Sequence, residues 1–167
     1  MEETLQALVD VVRAGKALYV GISNWPLEAT KFAIDYLKQR DTPLLIYQGK
    51  LNMLNREPIE EGILSCCQEA GVGFIAFSPL AQGLLTNRYL NGIPEDSRMS
   101  KGKFLREEML TPELLQQLHQ WNEEAKENGM SLAEMALQWI LKQQGVTSVL
   151  VGASSTKQLA QNLQCIK

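Results

Sequence analysis

The stretch Ala70-Gly71-Val72-Gly73-Phe74-Ile75-Ala76-Phe77 decides the fold. A helical segment closes on glycine, a residue suited to the left-handed cap where a helix stops, and a short, wholly apolar run follows. The same order of events recurs on both sides. Ala14-Gly15-Lys16-Ala17 leads into Leu18 to Ile22, and Gln144-Gly145-Val146-Thr147 leads into Ser148 to Val151. A fourth run, Leu44 to Tyr47, follows Asp41-Thr42-Pro43, where proline stops one helix and starts a strand. None of the runs shows the alternation of a sheet with one wet face. The sequence therefore predicts strands covered on both sides, and hence parallel.

Between the runs lie segments with helical ends and apolar stripes. Leu5, Leu8, Val9 and Val12 repeat at the three-and-four spacing of one buried face over residues 2 to 14. Ser131-Leu132-Ala133-Glu134 is a capping box, and Thr111-Pro112-Glu113 sets an N-cap ahead of a proline in the first turn. The predicted order is helix, strand, helix, strand, helix, strand, a longer helical insert, helix, strand, helix. Alternation of this kind specifies a parallel α/β architecture. Strand starts near Ala17, Leu44 and Phe74 lie roughly 27 and 30 residues apart, room for one crossover helix each. The last gap, roughly 74 residues, must hold extra structure, and residues 91–106 within it read as a polar loop of lid length.

The 167 residues and 18.7 kDa suit one domain, without a linker or low-complexity tract. A formal charge of -3 leaves no electrostatic footprint for nucleic acid, so no nucleic-acid partner is expected. Hydrophobic residues at 45% and charged residues at 21% allow a core and argue against disorder. No apolar run reaches about 18 residues, and Met1-Glu2-Glu3 is acidic where a secretory signal is basic. The expectation is a cytoplasmic chain with no membrane partner. Three cysteines, two of them adjacent at Cys66 and Cys67, make neither a disulfide framework nor a metal pair, which suits a reducing compartment.

Parallel α/β sheets present ligand sites at the carboxyl ends of their strands. Here those ends are polar: Ser23-Asn24, Gln48, Ser78, and Gly152-Ala153-Ser154-Ser155. Helix capping accounts for a Ser or Asn after any single strand, but four such ends together point to a site. Amides and hydroxyls hold a ligand without transferring its protons, and acids, bases and metal ligands are missing. Along Ser78 to Leu85, Gly83 permits close backbone approach, and exposed amides there suit phosphate oxygens. Gly152 to Thr156 opens a helix whose N-terminal N–H groups favour an anion. Two phosphate-friendly strand ends suit a dinucleotide.

Gly21-Ile22-Ser23-Asn24-Trp25, then Gln48 with Asn52 and Asn55-Arg56, then Phe77-Ser78-Pro79-Leu80-Ala81-Gln82-Gly83-Leu84-Leu85-Thr86 closely resemble the aldo-keto reductases. So does Val151-Gly152-Ala153-Ser154 with Gln158 and Asn162 after it. Tyr89-Leu90-Asn91-Gly92-Ile93-Pro94 with Ser97-Arg98 is similar to the branch holding bacterial glyceraldehyde-3-phosphate reductases and the potassium-channel β subunits. The motifs cover essentially the whole chain, 1–167, in the family's order. The resemblance implies the C-terminal half of a (β/α)8 TIM barrel: four parallel strands, the family's fifth to eighth, with flanking helices. It implies NADP(H) as cofactor, and residues 91–106 as a loop over its site. On that resemblance Ser23, Asn24 and Gln48 hold the nicotinamide carboxamide. The segment Phe77, Ser78, Pro79, Leu80, Gly83 and Leu84 wraps the pyrophosphate, and Arg88 and Arg98 bring guanidinium charge to the phosphates. Gly152 also belongs to the cofactor-binding set, Ser154 meets the adenosine 2′-phosphate, and Gln158, Gln161 and Asn162 border the adenine. Ser155 and Gln161 stand where many members carry a basic residue and a Glu, so NAD(H) stays open beside NADP(H), with Arg98 and Lys157 able to compensate. Leu51 replaces a frequent aromatic beside the pocket.

The family's Asp, Tyr, Lys and His belong to the barrel's first half, and no residue here maps onto any of them. The resemblance thus implies that this chain carries no catalytic residue and, alone, no activity. Tyr19 and Tyr47 in strands and Tyr36 in a helix read as packing residues, and Tyr89 belongs to the phosphate loop. His119 lies on a charged helix without a placed carboxylate partner and reads as surface or packing. Glu123 to Glu127 read as a solvated face, Met130, Met135 and Trp139 as core, and Cys66 and Cys67 as buried rather than reactive. An open half-barrel exposing ~500 Å² of apolar interior forfeits about 12 kcal/mol at ~25 cal/mol per Å². That rivals the whole ~5 to 15 kcal/mol stability of a domain. The chain is therefore expected to pair with a missing N-terminal half or with itself, its unpaired edges inviting another sheet. Three functions remain at this point: half of a carbonyl reductase for small aldehydes or ketones, a non-catalytic nicotinamide-binding subunit, or an inactive fragment.

Overall fold

The structure is a computed structural model describing residues 1–95, 97, 99–100 and 105–166. Its elements run α1 (Glu2–Arg13), β1 (Val20–Ser23), α2 (Leu27–Lys38), β2 (Leu44–Lys50), α3 (Glu57–Glu60), α4 (Ile63–Glu69), β3 (Gly73–Phe77), α5 (Pro112–Glu127), α6 (Leu132–Leu141), β4 (Val146–Val149) and α7 (Thr156–Leu163). The four strands form one sheet in the order β1-β2-β3-β4, every pairing parallel. This is the alternating architecture that the glycine-closed helices and apolar runs predict.

Local chemistry sets the helix ends. Thr111 caps α5, its side chain accepting from the Leu114 amide at 3.2 Å. At α6 the capping box closes both ways. The Glu134 amide donates to Ser131 Oγ at 3.2 Å, and the Ser131 amide donates to the Glu134 carboxylate at 2.7 Å. The third crossover breaks into α3 and α4 because Gly62 adopts φ +78°, a left-handed geometry that costs any other residue more. Glu123 and Lys126 pair at 2.8 Å on the exposed face of α5, where His119 is also exposed.

The strands do not have two covered faces. β1 alternates buried and exposed residues, and β2 and β3 alternate likewise about a bulge at Leu45. Val20, Ile22, Leu44, Tyr47, Phe74 and Ala76 point under the helices, joining Leu5 and Val9 of α1, Ala33 and Leu37 of α2, Leu64 and Cys67 of α4, and Ile140 of α6 in one core. Tyr47 stacks on Phe74 with ring centroids 5.5 Å apart, and its phenol donates to the Trp25 carbonyl at 2.8 Å. Burial pushes the Tyr47 phenol and the Cys67 thiol up to about 12 each, so Cys67 is held protonated and inert. Desolvation also raises the half-buried Cys66 thiol.

The opposite face carries Gly21, Ser23, Ile46, Gln48, Gly73, Ile75, Phe77 and Ser148, none of them buried. Sequence alone cannot separate the two faces here, because the uncovered face of these strands also holds apolar residues. Leu18 and Tyr19 are corrected for a related reason: β1 begins only at Val20, leaving them at the rim, 82% and 69% exposed. Tyr19 is therefore not a packing residue. β4 is likewise shifted, covering Val146 to Val149 rather than running on to Val151, with Thr147 Oγ1 accepting from the Phe74 amide at 3.1 Å across the irregular pairing.

Across the open face, cross-strand neighbours fall into rows. Gly21, Ile46 and Gly73 are in register, and the branched Ile46 side chain fills the space beside both glycines. A Cβ on Gly21 would lie 2.6 Å from Ile46 Cγ2, and one on Gly73 would lie 2.6 Å from Ile46 Cδ1. The next row toward the carboxyl ends is Ser23, Gln48, Ile75 and Ser148.

Candidate cofactor site

The carboxyl rim of the sheet is held by sharp backbone turns. β1 ends where Asn24 takes φ +56°, its amide donating to the Gln48 carbonyl at 3.2 Å and its side-chain Nδ2 to Ser23 Oγ at 3.2 Å. Asparagine tolerates this left-handed geometry better than most residues. β3 ends in Ser78 at φ +53°, and three successive left-handed residues follow after Leu80: Ala81 (φ +45°), Gln82 (φ +59°) and Gly83 (φ +103°). Such geometry in Ser, Ala and Gln stores roughly 1–3 kcal/mol apiece and persists only where neighbours over-determine it. They do so here. Asn52, fully buried, donates from Nδ2 to the Ser78 carbonyl at 2.9 Å while its Oδ1 accepts from the Leu54 and Asn55 amides. Leu80, Ala81 and Leu85 pack into a second core with Met53 and Leu90 and with Leu118, Leu132 and Ala136 of α5 and α6. Thr86 then ties the loop together: its hydroxyl donates to the Gly83 carbonyl at 2.7 Å and accepts from the Arg88 amide at 3.1 Å.

Between this loop and the end of β4 lies a cleft of about 610 Å³, within the usual range of small-molecule sites. Ser78, Pro79, Leu80, Gly83 and Arg88 line one wall, and Gly152, Ser154 and Gln158 line the other. In the chain as it stands Ser154 and Gln158 hold each other, the Ser154 amide donating to Gln158 Oε1 at 2.8 Å with Ser154 Oγ 3.0 Å from the same oxygen. Ser155 caps α7, accepting from the Gln158 amide at 3.2 Å. No carboxylate, histidine or cysteine lines the cleft among the described residues, and Arg88 supplies the charge. Such a lining suits anionic and polar groups but offers no general acid beyond a phenol. No cluster suited to a metal occurs among the described residues.

The remaining expected residues are distributed unevenly. Ser23, Asn24 and Gln48 gather at the same carboxyl end of the sheet, at β1 and β2, beside the cleft rather than in it. Phe77 closes β3 immediately before the loop. The Leu84 side chain is turned away into a third core with Tyr89, Met99 and Leu105, so only its backbone is free to serve a ligand. Gln161 is exposed on α7, whereas Asn162 beside it is 5% exposed and its buried Nδ2 has no hydrogen-bond acceptor among the described residues. Arg98 lies outside the described residues. Thr86 and Asn52 are supports that the sequence reading did not assign. Asn52 reaches a carbonyl 26 positions away, which no local pattern reveals, whereas Thr86 sits in a loop whose glycine gave a usable signal.

A parallel four-stranded sheet, helices on one face only, and polar strand ends gathered at the carboxyl rim are the parts of half a (β/α)8 barrel. The chain belongs to the aldo/keto reductase family, whose family model matches residues 1–167. It is 52% identical over 170 residues to an L-glyceraldehyde 3-phosphate reductase of Escherichia coli O157:H7, covering 99% of this chain and 49% of that protein. The protein of the same name from Escherichia coli K12 is 51% identical over the same shares. Among solved structures, a thermostable aldo-keto reductase in complex with the inhibitor epalrestat superposes with a TM-score of 0.68 at 25% identity, over 99% of this chain and 48% of that one. The chain thus spans about half the length of the relatives it matches. No helix among the described residues is long and apolar enough to cross a membrane.

Proposed function

We propose that this chain is the C-terminal, NADP(H)-holding half of an aldo-keto reductase that reduces small aldehydes or ketones, and that the proton-donating groups stand on the other half of the barrel. The observation that carries the reading is the convergence of the β3 loop and the β4 end on one polar cleft containing Ser78, Gly83, Arg88, Ser154 and Gln158. The donor set fits a dinucleotide. Arg88 offers a cation to phosphate, Gly83 leaves room for backbone approach, and the orphaned Asn162 amide is a donor waiting for a base or sugar acceptor. Ser23, Asn24 and Gln48 at the neighbouring strand ends have the hydroxyl and amide chemistry to hold a carboxamide by hydrogen bonds without exchanging protons.

Bound nicotinamide supplies hydride. This chain's residues bind and orient it, and the carbonyl oxygen must take its proton from a group outside the chain. NADP(H) is preferred over NAD(H) because Ser154 stands at the helix-opening end with Lys157 in the first turn of α7, both suited to a 2′-phosphate. The reductases it is similar to act on glyceraldehyde 3-phosphate by name, which favours a small phosphorylated aldehyde as substrate. The open face of the sheet, with Ile46, Ile75 and Phe77 on it, supports pairing with an N-terminal half or with a second copy.

Fluorescence titration with NADPH, with and without an N-terminal half supplied as a separate chain, tests this. The expected result is saturable binding by the chain alone and aldehyde turnover only after complementation. Turnover by the chain alone, or absence of binding, contradicts it. Binding with no turnover under either condition assigns a cofactor-holding subunit instead.

A further inference from the structure

We propose that Lys50 is a specificity-determining residue whose ammonium group binds the phosphate of a small phosphorylated aldehyde. The assignment rests on the reductase reading above and adds to it the group that recognises the substrate. Lys50 is the last residue of β2, in register with Phe77 at the end of β3. Alternation along the strand fixes its side. A Cβ on Gly49 would lie 2.7 Å from Phe74 Cζ and 2.9 Å from Tyr47 Cε1, and both rings belong to the core under the helices. Gly49 therefore faces the helices, and Gln48 and Lys50 on either side of it face the open side of the sheet. Lys50 is exposed there, two residues and about 7 Å nearer the carboxyl rim than Gln48.

Hydride transfer restricts where the substrate lies. With the nicotinamide held by Ser23, Asn24 and Gln48, the aldehyde carbon meets the ring beside that row, and the phosphate of a three-carbon aldehyde is only two carbons further on. A phosphate dianion leaving bulk water needs a cation. The row itself, Ser23, Gln48, Ile75 and Ser148, carries none. Lys50 supplies one from the next open-face position of β2, and its flexible four-carbon stem lets the ammonium reach back over Gln48. Arg88 belongs to the cleft between the β3 loop and the β4 end, whose lining does not include Lys50. The two cations thus serve different anions, Arg88 the nucleotide and Lys50 the substrate.

Steady-state kinetics of the chain complemented by an N-terminal half, with glyceraldehyde 3-phosphate and glyceraldehyde as alternative substrates, test the assignment. The readout is the ratio of kcat/KM for the two. In Lys50→Met the ratio should fall about tenfold, the loss of one hydrogen-bonded ion pair, through a higher KM for the phosphorylated aldehyde with its kcat little changed. Lys50→Arg keeps the charge and should restore most of the ratio. A ratio within twofold of the parent in Lys50→Met overturns the assignment, and so does a ratio that Lys50→Arg leaves as low as Lys50→Met. A loss shared equally by both aldehydes leaves the ratio where it was and gives Lys50 a part in docking the two halves instead. A parent without preference for the phosphorylated aldehyde also overturns the proposal. Failure of the chain to bind NADPH, or of the complemented pair to turn over, is a different result. It removes the reductase reading first and this assignment with it.

Discussion

Phe74 and Ile75 are neighbours in β3, yet Phe74 is fully buried under the helices while Ile75 lies half-open on the far side of the sheet. The same division runs through Tyr47 and Gln48, and through Ile22 and Ser23. On the helix side the chain completes its own core, with Leu5, Val9, Ala33, Leu37 and Cys67 closing over the strands. On the other side it offers rows of apolar and polar residues that the described residues leave half-buried or exposed. Relatives twice as long show that a further half of similar size accompanies this sequence elsewhere in the family. Helix packing is thus settled within the half-barrel, whereas the other face of the sheet is left open by the described residues.

The contrast can be broken by substitution. Phe74→Ala should cost about 4 kcal/mol in urea unfolding, the loss of a fully buried aromatic together with its stack on Tyr47. Ile75→Ala should cost under about 1.5 kcal/mol in the isolated chain, because much of that side chain is already wet. A closing partner should raise the second cost and leave the first unchanged. Equal costs in the isolated chain would mean that both faces are already covered, and the division would fall.

The loop end of the comparison rests on Asn52. Asn52→Ala removes three hydrogen bonds from a fully buried site and should cost about 3 kcal/mol, read as a lower urea midpoint. It should also weaken NADPH binding, since Ser78 loses its anchor. A variant of unchanged stability would show that the left-handed turn at Ser78 holds itself.

A finer effect is expected within the open face. Gly73→Ala brings a Cβ to 2.6 Å from Ile46 Cδ1, and should cost about 1 kcal/mol because a half-open side chain has room to move. In an Ile46→Val background that methyl is gone, and the cost should fall toward zero. A double-mutant cycle with no coupling would mean that the row does not pack as described.

Much of this was legible in the sequence. Glycine at Gly15, Gly71 and Gly145, proline at Pro43 and the capping box at Ser131 mark element ends, because each acts through bonds within a few residues. The parallel direction follows from alternation, and the strand order from the resemblance to half of a barrel. What escaped is non-local. Whether an apolar residue such as Ile46 faces helices or an uncovered interior depends on chain that is not in these strands, so the two faces could not be told apart. The bulge at Leu45 and the late start of β1 shift the register by one residue, which no propensity encodes. At the rim, residue types pointed to Ser78, Gly83 and Ser154, and the cleft gathers them. That the Leu84 side chain faces a core, that Asn52 props the loop, and that Tyr89 is buried are properties of packing rather than of pattern.

The most direct test of the account is a ¹⁵N amide map of the chain titrated with NADPH. The account predicts saturable shifts confined to the carboxyl rim, at Ser78, Gly83, Arg88, Gly152 and Ser154, with Ser23 and Gln48 moving in step. Shifts confined to the exposed face of α5 around His119, or none at all with the chain folded, would contradict it.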